Sequence, residues 1–295
     1  MPDLRRGDQA AGLRRLFGEA ESQVVTFAAG GIGVGKTLAV INLATALAQQ
    51  GKEVLVFDEC THRNLALLSG VSAPYDLLDV INQSVSLDAA LLSTAPGVRV
   101  LPAARALKVL GKLNEPQQRK LVQSVCQIAR PADIILVDAA LDHPLGFSPL
   151  ALAAQDTVIV MSTSGASITD AYKLIKKMSL GYARKQFHIL LSKVRDQHEA
   201  QAIYRNMSQV ARSRSLARLD YAGHVPFDEH LRQASMLLQP VVSLFPQAPS
   251  AQAYSALATT LLHCFSPDGE PGGLERFVRQ WLHLSQNIDA AAVPV

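Results

Sequence analysis

The chain has 295 residues, 28 Lys plus Arg against 25 Asp plus Glu for a net charge of +3, 48% hydrophobic residues and 18% charged ones. That apolar fraction supports a large core and excludes global disorder, while +3 is too small a charge to argue for a nucleic-acid partner. Three widely spaced cysteines, Cys60, Cys126 and Cys264, with no CxxC pair, exclude a disulfide framework and an ordinary zinc or iron–sulfur site.

Such cysteine usage fits a reducing compartment, so the cytoplasm is the expected location. The longest apolar runs, 24–34 and 134–141, fall short of the ~20 residues that a membrane-spanning helix needs. Residues 1–15 carry Asp3, Arg5, Arg6, Asp8, Arg14 and Arg15 without an apolar stretch, unlike a signal peptide.

In chain order, residues 1–22 form a charged arm with one short helical pattern. Ala10, Leu13 and Phe17 stand at i, i+3 and i+7, with Asp8 as a candidate cap. About ten residues are too few for a stable isolated helix, so folding on a partner is expected. A body follows over 23–265. Short apolar runs at 24–27, 54–58, 98–101, 134–138, 157–161, 188–194 and 221–225 alternate with helical patterns at 36–50, 115–129, 167–180, 199–213 and 228–238. Continuous apolar runs suit strands buried on both faces. Their alternation with helices predicts an α/β fold: a mostly parallel twisted sheet, helices on both faces, ligands beyond the carboxyl ends of the strands. Residues 266–273 (SPDGEPGG) read as a turn-rich linker, and 274–295 as an amphipathic helix and tail.

The most informative motif is GGIGVGKT, formed by Gly30, Gly31, Ile32, Gly33, Val34, Gly35, Lys36 and Thr37. It satisfies GxxxxGK[ST], with an apolar run before it and a helical pattern after it. Glycines let such a loop turn tightly and present several N–H groups to one anion, and the helix N-terminus adds partial positive charge. Lys36 is expected at the β- and γ-phosphates and the Thr37 hydroxyl on Mg²⁺, so ATP and Mg²⁺ are the expected ligands. IILVD ends in Asp138, a second candidate Mg²⁺ ligand. VLVFD ends in Asp58, a candidate catalytic carboxylate near the γ-phosphate.

Residues 30–59 resemble the opening of the MinD/ParA-type ATPases, whose usual text is KGGVGKT followed by NLA.ALA..G..VL..D.D. Asn42, Leu43, Ala44, Ala46, Leu47, Ala48, Gly51, Val54, Leu55 and Asp58 fall in register. Within that superfamily the chain most resembles the flagellar number regulators called FlhG, FleN or YlxH. DQAAGLRRL at 8–16 resembles their DQAxxLR motif, VRVLPAARAL begins at Val98, and SITDAYKLIKKM at 167–178 is close to their S-x-T-D-A-Y-x-x-I-K. The resemblance implies a P-loop ATPase that regulates flagellar number, placement and assembly. It implies docking of the arm on the SRP-type GTPase FlhF, with Asp8, Gln9, Leu13 and Arg14 at the contact and Gln9 stimulating GTP hydrolysis. Flagellar C-ring proteins, a flagellar transcription activator and an ATP-dependent homodimer are further implied partners; DNA is not.

The chain departs from the family text at the positions that matter for turnover. The signature lysine, which crosses a dimer to reach the partner's phosphates, falls at Gly31. The second Asp of the D-x-D pair, which positions the attacking water, falls at Cys60, beside Glu59. The Gly-containing switch after Asp138 is replaced by AALDHP, the adenine-side Asn by Ser192, and the Glu ahead of SITD by Ser164. The phosphate loop survives whereas the hydrolytic groups do not, so nucleotide binding with slow or absent hydrolysis is expected. A partition or division-site ATPase is the alternative, and a metabolic P-loop ligase or kinase a more distant one.

In the last helix Leu274, Phe277, Val278, Trp281 and Leu282 fall on one face, with Arg276 and Arg279 off it. The pattern fits a helix lying on an anionic membrane through Phe277, Val278, Trp281 and Leu282, and equally one docked on the body. Lys173, Lys176, Lys177, Arg184 and Lys185 form a basic patch that suits a solvated face or a partner surface.

Overall fold

The computed structural model describes residues 22–61, 64–129, 132–141, 143, 147–264 and 273–287. The candidate GTPase-contact residues Asp8, Gln9, Leu13 and Arg14 lie outside them, as does nearly all of the linker. The strands are β1 (Gln23–Ala29), β2 (Val54–Asp58), β3 (Leu92–Ala95), β4 (Val98–Pro102), β5 (Ile134–Asp138), β6 (Asp156–Ser162), β7 (Gln186–Val194) and β8 (Arg218–Pro226). They form one sheet in the order β3-β4-β2-β5-β1-β6-β7-β8. Every pairing is parallel except β3 with β4. The expected α/β architecture is present. The edge strand β3 was not expected, because LSTA is short, partly exposed and weak in β-formers.

The helices are α1 (Lys36–Gln49), α2 (Leu65–Leu68), α3 (Leu77–Ile81), α4 (Leu87–Ala90), α5 (Glu115–Ala129), α6 (Pro149–Ala153), α7 (Gly165–Tyr182), α8 (Gln197–Ser213), α9 (Glu229–Met236), α10 (Val241–Leu244), α11 (Pro249–Cys264) and α12 (Gly273–Asn287). β2 and β5 are buried at every position, which is why their text is unbroken by polar residues until the terminal Asp. α1 packs on one face with α11, in the cluster around Val40, Leu43, Leu47, Tyr254 and Ala258. α5 and α12 cover part of the other face through Leu121, Val125, Phe277 and Trp281, and α7 and α8 the rest through Ile175, Met178 and Met207.

α11 was not anticipated. PSAQAYSALATTLLHC places Tyr254, Leu257 and Leu261 at helical spacing among many small residues. It packs through these three and through the small Ala251 and Ala258, all buried, and the alanines let its backbone come close to α1.

The last helix overturns the lipid assignment. Phe277, Val278, Trp281 and Leu282 are all buried in the body, Trp281 completely. The Trp281 ring meets Phe57 of β2 edge-on with centroids 6.1 Å apart. At Gly111 a Cβ would stand 2.6 Å from the Ser285 carbonyl, so the helix approaches the body too closely for any side chain there. The stripe expected to face a membrane is covered by protein, because the face beside β2 and β5 offers it a dry apolar surface. No helix among the described residues is long and apolar enough to cross a membrane.

Candidate nucleotide-binding site

β1 occupies the middle of the sheet and hands the chain to the glycine-rich loop. Gly31, Gly33 and Gly35 have φ of 122°, 73° and 90°, values that L side chains rarely adopt. At Gly33 and Gly35 an added Cβ would meet nothing within 4 Å, so backbone conformation, not crowding, calls for glycine there. At Gly30 crowding decides: a Cβ would be 2.5 Å from Ala171 Cβ and 2.9 Å from the Ser167 carbonyl of α7.

Three side chains from distant sequence clamp this loop. The Ser167 hydroxyl donates to the Gly30 carbonyl at 2.9 Å and accepts from the Ser162 N–H at 3.0 Å. The Ser192 hydroxyl donates to the Val34 carbonyl at 2.5 Å. The Lys193 ammonium donates to the Gly33 carbonyl at 2.7 Å. Lys193 has φ 58° at an irregularity in the β7–β8 register, and this kink aims its side chain at the loop. Sequence reasoning missed the clamp, since a β-bulge leaves no periodic signal. Ser192 is spent on the loop's backbone. Ser164, at another of the lost family positions, caps α7 by accepting from the Ser167 N–H. Ile32, by contrast, is 94% exposed at the loop tip.

The strand register builds the acidic side. Asp58 pairs in register with Asp138, and Asp138 with Phe27, so β2 and β5 end side by side next to β1, which runs on to Ala29 and the loop. Lys36, 5% exposed, forms an ion pair with Asp138 and donates to Cys60 Sγ at 3.3 Å. The Cys60 thiol donates to Asp138 Oδ2 at 3.2 Å and lies 3.8 Å from Thr37 Oγ1. Both Asp58 oxygens accept main-chain bonds, Oδ1 from Cys60 N–H at 3.0 Å and Oδ2 from Leu65 N–H at 2.6 Å. Burial works against the Lys36 ammonium, but the Asp138 charge and the Cys60 sulfur outweigh it and hold its pKa above the ordinary lysine value. Burial first, then repulsion from Asp138, raises Asp58 to about 7 despite its two N–H donors. Burial likewise pushes the Cys60 thiol well up.

Glu59 is turned inward. It is fully buried, accepting from the Ser148 hydroxyl at 2.8 Å and the Ala140 N–H at 3.0 Å, and burial raises its pKa to about 7. It ties the end of β2 to the segment after β5, with one oxygen held by each partner. Part of the basic patch is also structural. The Arg184 guanidinium caps the carbonyls of Ala154 and Gln155, and Lys185 bonds Ser179 Oγ and the Leu216 carbonyl. Lys173 pairs with Asp170 at 3.1 Å.

The expected Lys36, Thr37, Asp58 and Asp138 therefore converge at one end of the sheet, with Cys60 among them. Asp58, Cys60 and Asp138 each place a donor atom within 4.8 Å of the others, the one such group among the described residues. Hard oxygen donors from Thr37 and Asp138 suit a divalent cation, and the Lys36 ammonium already marks the place of a positive charge. Residues 25–241 match the model of the CobQ/CobB/MinD/ParA nucleotide-binding domain.

The chain belongs to this family. It is 30% identical to antiactivator FleN of Pseudomonas aeruginosa over 88% of its own length and 92% of that protein. Its fold matches the MinD cell division protein of Aquifex aeolicus with a TM-score of 0.65, at 23% identity over 82% of this chain and 97% of that one. It also matches MinD of Pyrococcus horikoshii, a structure complexed with Mg-ADP, with a TM-score of 0.62, at 23% identity over 81% and 96%. This family member keeps the fold's phosphate loop and its strand-end carboxylates.

Proposed function

We propose that this chain is an ATP-binding regulator of flagellar number and placement that acts through an SRP-type GTPase of the FlhF kind and hydrolyses ATP slowly or not at all. The observation carrying the proposal is the 30% identity to antiactivator FleN along nearly the full length of both proteins. Gly30 to Thr37 would hold the triphosphate, and Thr37 and Asp138 the Mg²⁺, which neutralises charge on the β- and γ-phosphates when bound. Lys36 would exchange its Asp138 partner for the phosphates. The arm, with Asp8, Gln9, Leu13 and Arg14, would dock on the GTPase. The name antiactivator given to FleN supports a transcription activator as a further partner.

Slow hydrolysis is supported by what stands at the strand ends. Gly31 offers no charge to a partner's phosphates. Asp58 is the carboxylate best placed to receive a proton from attacking water, yet both its oxygens hold main-chain N–H groups. The residue two positions on is a thiol, a weaker water acceptor than a carboxylate. Losing one such positioned group typically costs ~100-fold or more in rate.

The test is a pull-down with the GTPase, comparing wild type with Gln9→Ala, with and without ATP. ATP-dependent capture lost in Gln9→Ala is expected; equal capture by both would remove the arm from the mechanism. Lys36→Met should abolish uptake of a fluorescent Mg-ATP analogue, and unchanged uptake would end the nucleotide reading.

A further inference from the structure

The proposed function leaves one group at the sheet's end unused: the Cys60 thiol. Ligands that share one cation at about 2.0–2.4 Å stand about 3–4 Å from each other in tetrahedral or octahedral shells. Cys60 Sγ is 3.2 Å from Asp138 Oδ2 and 3.8 Å from Thr37 Oγ1, spacings of that kind. Asp58 completes the donor group within 4.8 Å. A nine-tenths-buried cation stands in this group: the Lys36 ammonium contacts both the Asp138 carboxylate and Cys60 Sγ. Once Lys36 turns to phosphate, its charge must be replaced, because two buried carboxylates side by side are costly without one.

The thiol is also held in place. The Cys60 N–H donates to Asp58 Oδ1, a two-residue turn that brings the side chain back over the strand ends. Asp58 keeps lone pairs beyond those used by Cys60 and Leu65. A donor set of two carboxylates, one hydroxyl and one sulfur is not what Mg²⁺ selects, since magnesium is hard and demands oxygen. Sulfur favours zinc, cobalt and cadmium.

We propose that Cys60 is a direct ligand of the cation at the nucleotide site and that the cation this chain selects is thiophilic, Zn²⁺ ahead of Mg²⁺. The inference rests on the nucleotide reading above and changes one part of it, the identity of the cation held by Thr37 and Asp138. It also gives the missing second Asp a role: a sulfur on the metal stands where relatives place a water-positioning carboxylate, so metal retention replaces turnover.

The experiment uses the full chain with a non-hydrolysable ATP analogue and Co²⁺ as a visible substitute for zinc. Wild type should develop a near-ultraviolet sulfur-to-cobalt charge-transfer band that Zn²⁺ displaces and millimolar Mg²⁺ does not. Cys60→Ser should lose the band. Its Zn²⁺ affinity by equilibrium dialysis should fall at least about tenfold, the lower bound seen even for groups that only support a ligand. Circular dichroism matched to wild type excludes misfolding, and Cys60→Asp provides a second variant that should shift preference towards Mg²⁺. A band that survives in Cys60→Ser, or nucleotide uptake by wild type without any band, overturns the sulfur ligand and leaves the nucleotide reading intact. Absence of both band and uptake overturns the two together.

Discussion

Glu59 shows how far a side chain's role depends on which way packing turns it. In the sequence it is only a carboxylate beside Asp58 with no assigned aim, whereas in the structure it is buried with its two oxygens held by Ser148 and Ala140. Glu59→Ala should cost about 2 kcal/mol or more by leaving a buried N–H and hydroxyl unpaired. Urea unfolding measures this, and Mg-nucleotide uptake should persist. Gly30→Ala acts at the opposite side of the loop, where Cβ would strike Ala171 and the Ser167 carbonyl. Neither neighbour is a flexible tip, so a loss of about 1–3 kcal/mol is expected together with weaker uptake. Cys60→Asp restores the carboxylate found in relatives and should raise steady-state phosphate release by up to about 100-fold. A rate no higher than wild type would place the block elsewhere.

Among elements, α12 carries stability. Trp281→Ala should destabilise by about 3–5 kcal/mol in urea unfolding. Trp281→Phe should cost less, because the indole N–H is buried without a hydrogen-bond partner and its removal relieves a desolvation cost. Asp228 links two other elements. It caps α9 through the His230 N–H and accepts from the Ser250 N–H and hydroxyl at the start of α11. Partial burial opposes ionisation there, but the Ser250 and His230 bonds prevail and hold its carboxyl below the ordinary Asp value. A lowered folded-state pKa adds stability that is complete above the unfolded value, near 4, and is lost as pH falls through the folded one. Thermal unfolding between pH 6 and 2 should therefore decline less steeply in Asp228→Asn, which retains a capping oxygen but not the charge.

For the molecule as a whole, the decisive fact is that β2 and β5 end level with one another, beside Phe27 of β1, two residues before that strand hands over to the loop. That alignment gathers residues from positions 36, 58, 60 and 138 at one edge. The loop is gripped from the other side by β7 and α7, so loop geometry is coupled to both halves of the sheet. Deleting the residues before Glu21 should leave the body folded, with an unchanged unfolding midpoint, while abolishing stimulation of the partner GTPase. A drop in the midpoint would mean that the arm belongs to the body.

The α/β class, the parallel sheet, the phosphate loop and the carboxylates at 58 and 138 were legible because each rests on local chemistry: unbroken apolar runs, glycines at a turn, an acid closing a strand. The family likeness was legible for the same reason, being carried by short contiguous motifs. The loop clamp by Ser167, Ser192 and Lys193, the inward turn of Glu59 and the antiparallel edge strand depend on contacts between residues far apart in the chain. The amphipathic stripe of α12 had two physically sound destinations, lipid or protein, since an apolar face is satisfied by any dry surface. Packing against Phe57 and Gly111 decided between them. A stripe announces that a face will be buried; what buries it is a property of the assembled sheet.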